Sequence, residues 1–246
     1  MESAQVVGES TLLYVMNEEG ETHLAWRITV SYEGPQGGEV DEIYLDATDG
    51  SLLAVHPQIF RTLHRKIHTS NETDRLPGQL LFEEGGSSDD PVAQAAYDNS
   101  GLAYQYYLEK FGRDSFDDAG AELLSTVHHK KNYNNAFWNG TQMVYGDGDG
   151  RIFDPLSLSL DVVAHELTHA VTRKTANLVY RNESGALNEA LSDILGASVG
   201  VFANGSIDAN TWLLAEDVYT PHIAGDSMRY LNNPTLDGRS KDYYPT

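Results

Sequence analysis

His165-Glu166-Leu167-Thr168-His169 sets two imidazoles four residues apart with a carboxylate between them. On an α-helix such positions share one face, about 6 Å apart along the axis. Two imidazoles there can close on one ion with bonds of about 2.0–2.1 Å, the distance zinc takes to nitrogen. Val162, Val163, Leu167, Ala170 and Val171 surround the pattern and read as a buried helix, so a charged Glu166 in their midst calls for a role. Alone, the pattern is short and also occurs on ordinary surface helices. A second apolar segment, Asn188-Glu189-Ala190-Leu191-Ser192-Asp193, shifts that balance. Glu189 can supply a third ligand, and a His₂Glu set leaves one zinc position open for water. Asp193 lies one turn beyond Glu189 on the same face, where it can accept the free ring N–H of a ligand histidine and fix its tautomer. Asn188 is the other candidate for supporting the ligands.

These residues need helices to hold them, and the pattern predicts helices over about 160–175 and 186–203. An earlier helix is expected from Pro91 to Phe111, with Ala93, Ala96, Leu102, Ala103, Tyr106, Tyr107 and Phe111 turned inward. Residues 120–157 read as strand pieces broken by glycine and asparagine, and 57–88 as irregular chain. Beyond Gly205 the chain reads mostly as loop, with one helical piece near Thr211 to Val218. At the other end, Leu24, Trp26, Ile28 and Val30 alternate with Ala25, Arg27, Thr29 and Ser31, which is strand period. Gly34-Pro35-Gln36-Gly37-Gly38 breaks that strand. Ile43 and Leu45 resume it, and Asp46-Ala47-Thr48-Asp49-Gly50 turns into a last strand from Ser51 to Val55. Residues 1–56 thus form a small antiparallel sheet of about four strands.

Composition bounds the function. The 246 residues suffice for one large or two modest domains. No stretch approaches the roughly 18 apolar residues of a membrane span. The absence of cysteine removes disulfides, thiolate ligands and a cysteine nucleophile together. A formal charge of −21 argues against a nucleic-acid partner, because phosphate repels such a surface. The charge is uneven: residues 1–56 hold eleven Asp/Glu and only Arg27 as a base, then Arg61, His64, Arg65, Lys66 and His68 follow abruptly. That switch marks a domain boundary.

The run from Asp161 to Asp193, DVVAHELTHAVTRKTANLVYRNESGALNEALSD, resembles the core of the thermolysin-like neutral metallopeptidases. YNNAFWNGTQMVYGDGDG, from Tyr133 to Gly150, resembles the same family's edge strand and following loop. With Leu76-Pro77-Gly78 and Glu216-Asp217-Val218-Tyr219-Thr220-Pro221, the resemblance covers roughly residues 60–246. Residues 1–56 resemble the end of that family's prosegment, a PepSY-type module. The resemblance implies an α+β fold with three parts: prosegment 1–56, mixed catalytic lobe 57–183, and the start of a helical lobe at 184–246. It implies a secreted zinc endopeptidase precursor acting on peptides and proteins, with the prosegment as folding aid and inhibitor and the basic stretch near the processing junction. Glu166 would be the general base and Tyr180 a donor to the oxyanion. Asn135 and the backbone of Ala136 would bind substrate as an added strand, and Arg229 would bind a substrate carbonyl. Phe153, Leu156, Val162, Leu214, Val218 and Met228 would form an apolar pocket, implying cleavage before bulky apolar residues.

The chain departs from the family in two places. The family's second lobe carries a histidine, held by an aspartate, in a segment after the tyrosine-rich loop that here ends at Tyr243-Tyr244-Pro245-Thr246. His222 does not match it. The expectation is a fragment of a longer gene product, with weak or no turnover and an exposed apolar face on the 186–203 helix. A signal peptide, if any, would lie upstream. Second, Asp161 and Glu216 match ligands of a paired calcium site, but Gly200 and Thr211 stand where two acidic residues are expected. Tyr219, Thr220, Ile223 and Asp226 match a separate single-calcium loop, so calcium enters as a possible second metal. Two other functions compete: a non-catalytic zinc-fold binding protein or inhibitor, which the intact Glu166 disfavours and the missing histidine favours, and a peptidase of another zinc class, which the Asn-Glu-x-x-Ser-Asp context of Glu189 disfavours.

Overall fold

The computed structural model describes residues 4–16, 21–34, 37–57 and 63–243. The chain divides into two compact units, Met1–Arg61 and Thr62–Thr246. Arg61 and the break at Pro35-Gln36 lie outside the described residues.

The first unit is an antiparallel sheet in the order β1 (Gln5–Met16), β2 (Thr22–Gly34), β3 (Gly37–Asp46), β4 (Leu52–Pro57). The expected alternation sets its register. Leu12 pairs with Trp26 and Trp26 with Leu45; Ile28 pairs with Ile43 and Ile43 with Val55. Paired residues share a face, so one side of the sheet is apolar. Ala25, on the other side, is fully buried, whereas Leu12, Trp26, Leu52 and Val55 stay exposed. The Asp46–Gly50 turn closes on Asp46, whose carboxylate accepts from the Thr48 amide at 2.7 Å.

The second unit is built on a five-stranded sheet ordered β6-β5-β7-β9-β8. Its strands are β5 (Arg65–Thr69), β6 (Gln79–Glu83), β7 (Leu123–Val127), β8 (Ala136–Trp138) and β9 (Met143–Tyr145). β5, β7 and β9 run parallel, while β6 and β8 are antiparallel edges. The expectation of irregular chain over 57–88 is corrected here, because β5 and β6 are strands. In β5 the sequence hides this, because only Ile67 is a large apolar residue, whereas β6 carries Leu80, Leu81 and Phe82 beside the Leu76-Pro77-Gly78 break. β5 is held by parallel pairing to β7 and by partners for its polar groups. Arg65 forks onto Glu84 at 2.7 and 2.6 Å and covers the Tyr97 ring; Lys66 pairs with Glu122 at 2.8 Å. The basic stretch is therefore partly woven into the sheet.

Two helices pack on this sheet, and a third packs on them. α1 (Pro91–Phe111) starts where Asp90 accepts from the Val92 amide, with proline in the first turn, and ends at left-handed Gly112. Ala93, Ala96, Ala103, Tyr106 and Tyr107 are buried as expected. Leu102 is only half-buried, and Phe111, in the last turn, is exposed. α2 (Leu160–Lys174) carries the His-Glu-x-x-His run, and Tyr107 reaches it through a buried 2.7 Å bond to Thr168. α3 (Asn182–Asn204) begins four residues before its expected start and stops at left-handed Gly205. Gly196 sets its distance from α2, since a Cβ there would come within 2.9 Å of the Asp161 carbonyl oxygen. Leu187 and Ile194 on α3 are exposed. The helix expected over Thr211 to Val218 is absent. A 3₁₀ turn at Asn210–Trp212 leads instead into β10 (Leu213–Leu214), paired with β11 (Arg229–Tyr230). Among the described residues no helix is long and apolar enough to cross a membrane.

Candidate active site

A cleft of about 620 Å³ lies over α2, between the β8 edge and α3. His165 and His169 point into it from one face of α2, and Glu189 meets them from α3. The two Nε2 atoms are 3.0 Å apart, and each lies 3.4 Å from one oxygen of Glu189. Among the described residues this is the only group of three or more His, Asp or Glu with converging donor atoms.

The outer nitrogens are held from behind. His165 Nδ1 is 2.8 Å from Asp193 Oδ1, and His169 Nδ1 is 2.7 Å from Asn188 Oδ1. Both partners are acceptors, so both Nδ1 atoms carry protons and both Nε2 lone pairs face the same point. Two lone pairs and a carboxylate aimed at one point demand positive charge. Burial acts to lower the pKa of His165, yet the bonds to Asp193 and Glu189 hold it up at about 9. A proton shared between the rings thus satisfies the cluster, and a divalent cation would satisfy it better. This donor set fits zinc.

Glu166, on the same turn of α2, is 6 % exposed. Burial raises its pKa to about 7, with the charge of His165 opposing and that of Glu189 adding. Glu189 behaves oppositely: burial would raise it, but the bonds from His165 and Tyr180 hold it at about 2. The exposed Tyr180 donates its hydroxyl to Glu189 Oε1. Arg229 grips Asp193 through two 2.7 Å bonds from Nε and Nη2, so Arg229, Asp193 and His165 form one chain of charge-assisted contacts.

Asn135 and Ala136 line the same cleft, and Ala136 opens the edge strand β8. Phe153, Leu156, Val162, Leu214 and Met228 line it as well. Val218 does not. It is fully buried in the turn whose carbonyl accepts from the Asp154 amide, and so belongs to the core. The expected calcium ligands are met by neighbours in two separate places. Asp161 accepts from the Ser159 hydroxyl and, at 2.7 Å, from the Ala215 amide. Burial and the charges of Asp217 and Asp161 push Glu216 up to about 7. Asp226 accepts from Thr220 at 2.8 Å and from Tyr230 at 2.9 Å, while the Ile223 amide closes the turn onto Thr220 at 2.7 Å.

Sequence reading missed the far end of the cleft: Phe137, Trp138, Arg173, Asn177, Leu178 and Val179. One signal was available, since Arg173 stands four residues beyond His169, on the ligand face of α2.

Comparison with known proteins agrees with this geometry. The thermolysin metallopeptidase catalytic-domain model matches residues 60–173, and the thermolysin metallopeptidase alpha-helical-domain model matches 176–246. Neutral protease B of Bacillus subtilis (strain 168) is 54 % identical over 277 residues, covering 94 % of this chain and 49 % of that protein. Bacillolysin of Brevibacillus brevis is 39 % identical over 263 residues, covering 94 % and 48 %. The chain thus spans about half the length of these relatives. The solved precursor of protealysin, a metalloproteinase from Serratia proteamaculans, superposes with a TM-score of 0.68 at 39 % identity, over 72 % of this chain and 56 % of its own. With both models running across the residues that frame the cleft, the chain belongs to the thermolysin metallopeptidase family.

Proposed function

We propose that this chain carries the zinc site of a secreted endopeptidase that cleaves peptide bonds before bulky apolar residues. The observation that carries the reading is the convergence of His165, His169 and Glu189, with each histidine fixed from behind. When bound there, zinc supplies Lewis acidity, polarising a carbonyl and lowering the pKa of water.

The chain's own residues do the rest. Glu166, buried among the donors with its pKa near neutrality, takes the proton of the attacking water and passes it on. Tyr180 can turn its hydroxyl from Glu189 toward the developing oxyanion. Substrate pairs with the free edge of β8 at Asn135 and Ala136, which holds it extended. Arg229, anchored by Asp193, offers its remaining nitrogen Nη1 to a substrate carbonyl. Phe153, Leu156, Val162, Leu214 and Met228 select an apolar side chain by area removed from water. The first unit acts as prosegment and intramolecular inhibitor, a reading supported by the likeness to a protease precursor.

The test is prolonged digestion of a peptide library by the zinc-loaded chain, whose turnover is expected to be slow, beside Glu166→Gln. Cleavage before Leu and Phe that the variant lacks supports the reading, and cleavage mainly beside charged residues contradicts it.

A further inference from the structure

Resting on the peptide-cleft reading above, we propose that Arg173 makes the far end of the cleft a cationic subsite that selects an acidic substrate residue before the scissile bond.

The argument starts from spacing. His165, His169 and Arg173 follow one another at intervals of four on α2, so all three side chains leave the same helix face. Val162, near the start of the helix, lines the apolar pocket. The order along the helix axis is therefore apolar pocket, ligand histidines, arginine. If the pocket takes the side chain after the scissile bond, residues before that bond run toward Arg173. The axial distance from the midpoint of His165 and His169 to Arg173 is about 9 Å at the helical rise. An extended peptide covers about 3.3 Å per residue. The arginine thus meets a side chain within about three residues upstream of the bond.

The guanidinium has a defined seat. It lies against Gly140, just past the end of β8, so closely that a Cβ on that glycine would stand 2.5 Å from Nη1. The absence of a side chain at Gly140 is what lets the arginine rest beside the substrate-binding edge. Arg173 is exposed, and among the described residues its side chain makes no hydrogen bond or ion pair. The other cation lining the cleft, Arg229, has its Nε and Nη2 bound to Asp193, which already balances its charge. Arg173 therefore presents an open fork to the cleft, suited to a carboxylate. The fork is exposed, so such a pair would form in contact with water.

The test uses zinc-loaded full chain and uncleavable peptides, with a ketomethylene group replacing the scissile amide and Leu after it. Glu, Ala or Lys is placed in turn at each of the three preceding positions, and dissociation constants are measured by calorimetry. At one position the Glu peptide should bind about two- to fivefold more tightly than the Lys peptide, the range of an exposed ion pair. That ratio should fall to about one in Arg173→Ala, invert in Arg173→Glu, persist in Lys174→Glu, and narrow in high salt. Binding that depends on Leu after the bond but ignores charge before it overturns the inference and leaves the peptide cleft standing. No binding by any peptide overturns the cleft reading, and the inference with it.

Discussion

Gly196→Ala should destabilise this protein although the same exchange elsewhere on the same helix stabilises it. Gly196 sits where α3 crosses α2. Its added Cβ would lie 2.9 Å from the Asp161 carbonyl oxygen, 3.7 Å from the carbonyl carbon and 3.6 Å from the His165 nitrogen. Ordinary contact begins at 3.4 Å, so α3 must retreat by about 0.5 Å from backbone that cannot swing aside. Overpacking of this kind costs about 1–3 kcal/mol. Alanine recovers about 0.5–1 kcal/mol of helix preference over glycine. The net loss is about 0–2.5 kcal/mol, centred near 1. Gly200, one turn on, meets nothing within 4 Å, so Gly200→Ala should gain the helix preference alone. The two variants should differ by about 1–3 kcal/mol, or roughly 2–12 °C in melting temperature for a unit of this size. Glu189 sits on the same helix, two turns before Gly196, so Gly196→Ala should also weaken zinc binding about tenfold while Gly200→Ala leaves it unchanged. Thermal melts with a zinc titration provide the assay. Equal stabilisation by both substitutions would refute the close-crossing argument.

Three further outcomes follow from the same geometry. Asp193→Ala removes the acceptor from His165 and the anchor from Arg229, and should lower zinc affinity by about 10- to 100-fold in a chelator competition. His128 lies between Asp147 at 2.8 Å and Asp90 at 2.7 Å. The bond to Asp147, with that to Asp90 and against burial, raises its pKa to about 9. A raised folded pKa means stabilisation that is full below the unfolded value of about 6.5 and lost as pH rises through 9. His128→Gln should therefore cost about 1–2 kcal/mol near pH 6, after allowance for partial exposure, and the gap in melting temperature should close above pH 9. Tyr107→Phe removes the buried bond to Thr168, and its urea midpoint should report a loss of about 1 kcal/mol.

The two ligand helices were legible because their apolar residues recur at helical spacing on both sides of the charged ones. The sheet of the first unit was legible for the corresponding reason, an alternation over Leu24 to Val30 that fixes one apolar face. β5 escaped notice because Arg65-Lys66-Ile67-His68-Thr69 carries almost no apolar signal, and its strand state rests on partners far along the chain: β7, Glu84 and Glu122. The helix expected near Thr211 to Val218 lost to another distant partner, since Leu213 and Leu214 pair with Tyr230 and Arg229. Val218 matched a pocket position in type, but the turn from Ala215 points it into the core. At the site itself, helical spacing paired His165 with His169 and Glu189 with Asp193, but that the two pairs meet is a matter of how α2 and α3 pack. Arg173 carried the same spacing, but nothing in the chain says that β8 ends beside it.

The central claim is that three side chains from two helices make one zinc site. Elemental analysis of the purified chain beside Glu189→Ala tests it most directly. The account predicts about one zinc per chain, largely lost in the variant, because a His₂ pair without the carboxylate is a poor site. A chain without zinc, or a variant that retains it fully, would contradict the assignment of Glu189 and the reading built on it.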